Sequence, residues 1–243
     1  MYALLKKELR SFLSSLIGYV VICVFLLLIS LFMWVFEGDM NTLDNGYAGL
    51  DTLFYLAPWV FMFLIPAITM RSFADERKSG TIEWLLTRPI TDLQIISSKF
   101  LAGLILVILA LLPTIIYYIT VYKLGSPPGN LDSGGIWGSY LGLIFLASGY
   151  VVIGIFASAI SSSQVVAFLL GALLCFFMFS GLHSLGSFKL FGPLDEYIIA
   201  LGMQSHYASL SLGLIDTRDV VYFMALCFIF VFLTELILKS RKW

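Results

Sequence analysis

Six long runs of apolar residues dominate the sequence and constrain the fold more than any other feature. A chain inside lipid has no water to satisfy its backbone N–H and C=O groups, so each crossing needs about 20 apolar residues in a helix. With 60% hydrophobic and 12% charged residues, the chain has too many apolar side chains for a soluble core of 243 residues. We therefore predict an all-α membrane protein with six transmembrane helices over residues 14–36, 53–70, 100–122, 136–160, 165–182 and 220–238.

The positions of Lys and Arg predict the orientation of these helices, because cytoplasmic loops of membrane proteins are enriched in both residues. A cytoplasmic N-terminus places 11 of the 14 basic residues inside and leaves only Lys123, Lys189 and Arg218 outside. We therefore expect both termini in the cytoplasm.

Residues 1–13 have the pattern of an amphipathic helix at the membrane surface. One side carries apolar residues at helical spacing and the other carries basic residues. The simpler alternative is a positively charged flank that only fixes the topology. The apolar positions are Tyr2, Leu5, Leu9 and Phe12, and the basic positions are Lys6, Lys7 and Arg10.

The loop of residues 71–99 between helices two and three is the longest segment expected in the cytoplasm. Asp75–Lys78 extends helix two as a polar stretch, and Gly80 is expected to end it. Thr81–Thr87 is then predicted to form a short helix that ends at Pro89. Such a helix could act as a lever between two membrane helices, or it could be a solvated loop on the membrane surface.

Local capping patterns predict where other helices begin. Thr91 and Gln94 have the spacing of a capping box that opens helix three. The outer segment 181–219 is too apolar for an ordinary loop, and we predict short re-entrant or surface helices over Leu194–Leu201 and Tyr207–Ile215, before helix six.

Small residues recur along helix four at spacings that permit close helix packing. They could mark contact with another subunit, although packing within this chain is the more common use. These residues are Gly138, Gly142, Gly154, Ser158 and Ser162.

The stretch FADERKSGTIEWLLTRPITDLQIISSKFLA, residues 73–102, resembles the signature region of ABC-2-type transporter permeases. The resemblance covers the whole chain, since that family has an N-terminal amphipathic helix, six spans, a coupling helix between spans two and three, and short re-entrant helices before the last span. More narrowly, the chain resembles the gliding-motility-associated permease subunit of Bacteroidota. The matching positions are Glu76, Arg77, Gly80, Thr81, Glu83, Leu85, Leu86 and Pro89.

This resemblance implies a permease subunit of an ATP-driven exporter in the bacterial inner membrane, acting in support of gliding motility. It implies that residues 81–87 insert into a groove on an ABC ATPase, with Glu76 and Glu83 as polar contacts. The sequence has no GxxxxGK[ST] phosphate loop, so we expect no enzyme activity and no cofactor in this chain. The expected partners are the ATPase, which would bind ATP and Mg²⁺, a second permease subunit that is identical or different, and membrane lipid, but no nucleic acid.

Two other classes of membrane protein are alternatives to an ATP-driven permease. A gradient-driven transporter needs ionisable groups within the membrane, and the sequence offers Glu235, four residues before Lys239, as expected for an interfacial ion pair. An intramembrane hydrolase would need a Ser–His contact, for which Ser205–His206 and His183–Ser184 are the candidates. Adjacent residues on a helix point about 100° apart, so neither pair makes that contact by itself.

Overall fold

The computed structural model describes residues 2–81, 91–189 and 192–240, and these residues form helices and no strands. The helices are numbered here along the chain. They are α1 Tyr2–Leu13, α2 Leu16–Ser30, α3 Asp51–Thr69, α4 Arg71–Lys78, α5 Asp92–Leu111, α6 Ile115–Leu124, α7 Ser133–Ile160, α8 Gln164–Phe176, α9 Leu182–Ser187, α10 Asp195–Ala200, α11 Met203–Leu210 and α12 Thr217–Lys239.

Six helical segments of the described chain are long and apolar enough to cross a membrane, which confirms the predicted fold class. Spans two, three and five each join two or more consecutive helices. We number the spans one to six. They cover Gly18–Val35, Asp51–Lys78, Asp92–Leu124, Ser133–Ile160, Gln164–Ser187 and Thr217–Lys239.

Span four, helix α7, lies at the centre of the bundle and is the most buried of the six. Helices α3, α5, α8 and α12 pack around it. Its small residues face neighbours in the same chain: a Cβ on Gly142 would lie 2.7 Å from Leu210 Cβ, and a Cβ on Gly154 would lie 2.0 Å from Thr69 Oγ1. These glycines therefore serve internal packing, where the absence of a side chain lets helices approach closely.

Two prolines coincide with interruptions in the helices of spans two and three. Pro66 lies four residues before Met70, the single residue between α3 and α4, and the Met70 N–H donates to the Pro66 carbonyl at 2.8 Å. Pro113 lies in a 3₁₀ turn, Leu112–Thr114, between α5 and α6. Proline has no N–H and removes one bond from the regular hydrogen-bond ladder of a helix.

The short outer helices differ in extent from the sequence prediction. The first, α10, covers Asp195–Ala200 and thus lies within the predicted range. The second, α11, begins at Met203 directly after its N-cap, Gly202, and ends at Leu210. The apolar run beyond Leu210 is a turn, because Gly213 adopts a φ of +78° that a helix cannot contain and packs against the backbone of Gly135.

Helix α1 forms at the predicted place, but its buried residues are not the predicted apolar ones, although Phe12 packs against Val21, Ile68 and Leu106. Leu4 and Glu8 are buried, whereas Tyr2 is 78% exposed. The apolar face borders an open groove with Lys6 and Arg10 at its edges. The buried face of α1 thus includes a carboxylate, which the hydrophobic pattern does not predict.

Candidate functional site

The candidate site lies where span two continues as α4 beyond the break at Met70. Ser158 of span four bridges this break: its hydroxyl donates to the Met70 carbonyl at 2.9 Å and accepts the N–H groups of Phe73 and Ala74 at 2.9 and 3.1 Å. The first N–H groups of a helix have no partner within it, and here a neighbouring helix supplies one. Ser158 is fully buried, so α4 is fixed to span four at its start.

Helix α4 is also attached to the connection between α7 and α8. The Arg77 guanidinium donates to the Ile160 carbonyl at 2.8 Å, and the Gln164 amide donates to the Asp75 carboxylate. Ile160 and Gln164 lie at opposite ends of this short connection. Arg77, a residue of the resemblance, therefore holds α4 against the bundle.

Helix α4 ends where the sequence predicts, at Ser79 and Gly80. Gly80 has a φ of +69°, the left-handed conformation that commonly ends helices and that favours glycine. The Ser79 hydroxyl donates to the Asp75 carbonyl at 2.7 Å and lies 2.8 Å from the Thr81 hydroxyl. Helix α4 therefore ends at a defined point.

The predicted coupling helix lies beyond this point. Of residues 81–87 the structure describes only Thr81, and Glu83, Leu85, Leu86 and Pro89 lie outside the described residues. The chain is described again from Thr91, whose hydroxyl accepts the Gln94 N–H while the Gln94 side chain accepts the Thr91 N–H. The predicted capping box is thus confirmed, and α5 begins at Asp92, eight residues before the predicted start of span three.

A buried ammonium lies at the centre of the site. Lys99 Nζ lies 3.1 Å from Glu8 Oε1 and 2.9 Å from Glu76 Oε1, and it donates to the Ser72 carbonyl at 2.6 Å. It also lies 5.0 Å from the centre of the Phe73 ring. We call Glu8, Glu76 and Lys99 the buried charge cluster; it joins α1, α4 and α5.

The Lys99 side chain is only 1% exposed, although the sequence argument assigned this residue to the end of the cytoplasmic loop. Because α5 begins at Asp92, Lys99 lies two turns inside the helix and not in a loop. Glu235 is therefore not the only charge within a membrane-spanning helix.

Glu76 is expected to contact an ATPase, but its carboxylate is directed toward other helices of this chain. Oε1 contacts Lys99, and Oε2 is buried with no hydrogen-bond partner within the described residues. A cleft of about 190 Å³ next to it is also lined by Lys7, Arg71 and Asp75. Glu76 thus faces the junction of α1, α4 and α5, and its role in contacting an ATPase stays a prediction.

Sequence reasoning missed three groups of this site. Glu8 lies among the basic residues of α1 and was not recognised. Lys99 was assigned to the loop. Ser158 was considered only as a small residue that permits close packing. One signal was available: Glu8 follows Leu4 by one helical turn, the spacing of a common buried face. The partners of Glu8 come from residues far along the chain, so only the fold brings them together.

The end of the bundle opposite α4 contains a second polar group of residues. His206 Nδ1 lies 2.7 Å from Asp219 Oδ1 and its Nε2 lies 2.8 Å from the Ala200 carbonyl, while Ser209 donates to the other oxygen of Asp219. The His206 ring also stacks on Tyr222 at 3.9 Å. These bonds join α10, α11 and the start of span six.

This arrangement does not support the hydrolase reading. Ser205 donates to the carbonyls of Ile199 and Gly202, not to His206. Both nitrogens of His206 already face acceptors, and the carboxylate of Asp219 lies between His206 and Ser209. A hydrolase needs the histidine between the acid and the nucleophile.

Two further contacts at this end of the bundle are a helix cap and a hydrogen bond between helices. Asp216 caps span six by accepting the Arg218 N–H at 3.0 Å, and this bond lowers the pKa of the Asp216 carboxyl. The cap therefore contributes stability above the ordinary Asp pKa and loses it as the pH falls. Tyr207 of α11 donates to the Phe54 carbonyl at 2.7 Å, and burial raises the pKa of its hydroxyl.

Glu235 forms the ion pair that its spacing predicts, with Glu235 Oε1 2.6 Å from Lys239 Nζ. The Lys239 side chain is 57% exposed, so the pair lies at the edge of the bundle. This position favours an interfacial ion pair over a proton-relay role within the membrane.

Comparison with known proteins relates the whole chain to one family. The family model described as ABC-2 family transporter protein matches residues 2–241. No curated protein matches the sequence.

Proposed function

Because the chain belongs to the ABC-2 family of transporter proteins, we propose that ATP hydrolysis in a partner subunit drives movement of its membrane helices. Six apolar helices and the family match make it a multi-pass membrane protein and a permease component of an ABC transporter. The membrane component of such a transporter is not the catalytic subunit, so a partner ABC ATPase handles ATP and Mg²⁺. The contacts of α4 with the neighbouring spans support a path along which force would be transmitted to the membrane helices.

The observation that carries this proposal is the attachment of α4. It continues span two, and its first turn is bonded to Ser158 of span four. Its middle is bonded through Glu76 to Lys99 of span three. A force applied to the end of α4 therefore acts on three spans together.

The proposed contact with the ATPase begins where α4 ends. Gly80 and Thr81 are the last residues described before the segment that carries Glu83, Leu85, Leu86 and Pro89. In the proposal, residues 81–87 form the coupling helix, and closure of two ATPase subunits pushes it against the membrane helices. The resemblance of residues 73–102 supports this assignment.

The rest of the assembly follows from the same proposal. The transporter lies in a bacterial inner membrane as an exporter, with the ends that carry α1 and α4 in the cytoplasm. Six spans form half of the usual ABC-2 membrane unit, so a second permease subunit, identical or different, completes it. The exposed apolar face of α1 lies against lipid, as expected of an interfacial helix.

Replacing Glu83 with Lys tests the coupling step, because it reverses a charge at the proposed ATPase contact. We expect the variant complex to hydrolyse ATP while its membrane helices no longer respond. Electron spin resonance can measure this response as the change in distance between labels at Tyr55 and Lys123, exposed positions on spans two and three. Native cysteines Cys23, Cys175 and Cys227 are first replaced with Ala.

Glu37→Lys is the matched control, since it makes the same charge change at an exposed residue on the outer side. The control variant should respond to ATP like the wild type. Normal assembly and a normal distance change in Glu83→Lys would contradict the proposed contact.

The narrower proposal is that this transporter supports gliding motility, and it rests on the resemblance alone. In a gliding bacterium that carries the gene, Glu83→Lys should abolish spreading on agar at an unchanged membrane level of the protein. Spreading at the wild-type rate would contradict a role in gliding.

A further inference from the structure

We infer that Lys99 is a positioning residue that makes the N-terminal helix α1 move together with α4. This inference rests on the proposed function, since it states how movement of α4 reaches span one. Lys99 Nζ has three acceptors, one on α1 and two on α4: Glu8 Oε1, Glu76 Oε1 and the Ser72 carbonyl. An ammonium has three N–H groups, so its donors are fully used by these two helices.

Burial makes this connection strong. The Lys99 side chain is 1% exposed, and the side chains of Glu8 and Glu76 are 10% and 13% exposed. A buried charge is costly unless it is paired, and removing one partner leaves the others uncompensated. The three charges are therefore stable only while α1, α4 and α5 stay together.

The buried charge cluster contains two carboxylates and one ammonium. Two carboxylates share one ammonium, each within about 3 Å of the same nitrogen. Without Lys99, two like charges would face each other between α1 and α4. Lys7 cannot take its place, because its Nζ lies 3.9 and 3.7 Å from these carboxylates and its side chain is 61% exposed.

Helix α1 is otherwise poorly tied to α4. On its apolar face Tyr2 is largely exposed and Phe12 packs against Val21, Ile68 and Leu106, not against α4; its buried residues are Leu4 and Glu8. Span one follows α1 after the short turn at Ser14–Ser15, and the Ser14 N–H donates to the Arg10 carbonyl. A displacement of α4 would thus pass through Glu8 to α1 and on to span one.

The test measures the distance between spin labels at Ala3 on α1 and Lys78 on α4, both exposed, in the background without native cysteines. In the wild type we expect one narrow distance distribution that is the same with and without ATP. Lys99→Met should broaden and shift this distribution even in the permease alone. Lys123→Met, which removes an exposed lysine at the other end of the bundle, should leave it unchanged.

A second variant separates charge pairing from simple packing and guards against loss of the fold. Glu8→Ala removes the acceptor on α1 but leaves Lys99 paired with Glu76, so the distribution should broaden as in Lys99→Met. If packing of the Lys99 side chain were its only role, Glu8→Ala would keep the narrow wild-type distribution, because the Lys99 side chain is unchanged. A wild-type distribution in Lys99→Met would overturn the inference.

The same labels distinguish this inference from the proposed function. If the wild-type permease binds no ATPase, the proposed function fails, yet the distances in the permease alone still report on Lys99. With the ATPase bound, ATP should change the distance between Ala3 and Lys78 only in Lys99→Met. A distance that stays constant in that variant during ATP turnover would contradict the coupling of α1 to α4 through Lys99.

Discussion

Ser158 holds together the break in the helix of span two. Its hydroxyl accepts two buried N–H groups and donates to one partly buried carbonyl. Ser158→Ala would leave them without partners, and each unsatisfied buried group costs about 1–3 kcal/mol. We expect a loss of at least ~2 kcal/mol, measured as a lower thermal unfolding midpoint in detergent.

Ser162→Ala, at an exposed position nearby, is the control and should unfold like the wild type. Equal unfolding midpoints for Ser158→Ala and Ser162→Ala would contradict the bridging role of Ser158.

At the same scale, the sequence predicted the contacts that lie within one or two helical turns. The Thr91–Gln94 capping box and the Glu235–Lys239 ion pair are both of this kind and both are confirmed. The partners of Lys99 and Ser158 are separated from them by 23 residues or more. Such contacts depend on which helices are neighbours, and apolar periodicity does not specify that.

Between elements, spans two and four pack closely at Gly154 and Thr69. A Cβ at position 154 would lie 2.0 Å from Thr69 Oγ1, so Gly154→Ala must displace Thr69 or separate the helices. Overpacking of this kind costs about 1–3 kcal/mol. Adding Thr69→Ala removes the clashing atom, so the double variant should recover part of the lost thermal stability.

Gly134→Ala is the matched control, since a Cβ there would meet its nearest neighbour at an ordinary 3.5 Å. If Thr69→Ala and Gly154→Ala had simply additive effects on the unfolding midpoint, the direct contact between the two spans would be refuted.

The number of membrane helices could be predicted from the sequence, but the extent of spans two and three could not be predicted from apolar length alone. Apolar runs locate each crossing because lipid requires about 20 apolar residues. Span two continues through the polar residues of α4, and span three begins at Asp92, because contacts with span four and α1 stabilise polar turns that lie outside the apolar runs. The candidate site lies in these turns, so the sequence located the segment but not its buried charge cluster.

In the whole molecule, span four is the central helix to which the other parts are attached. Helix α4 joins it through Ser158, and α1 joins α4 through Lys99 and Glu8. At the opposite end of the bundle, α11 joins span two through Tyr207 and span six through His206. In the proposed mechanism, movement that enters at α4 reaches spans one to four through these contacts.

The proposed function requires an ABC ATPase to contact the chain directly after α4. A photo-crosslinking amino acid at Thr81, in the native membrane, tests this contact, with the same substitution at exposed Tyr47, on the side predicted to face outward, as the control. Mass spectrometry of the purified adducts identifies the captured chains. We expect position 81 to capture a chain with a GxxxxGK[ST] phosphate loop and position 47 to capture none. Capture of no such chain from position 81, with the protein present at its normal level, would contradict it.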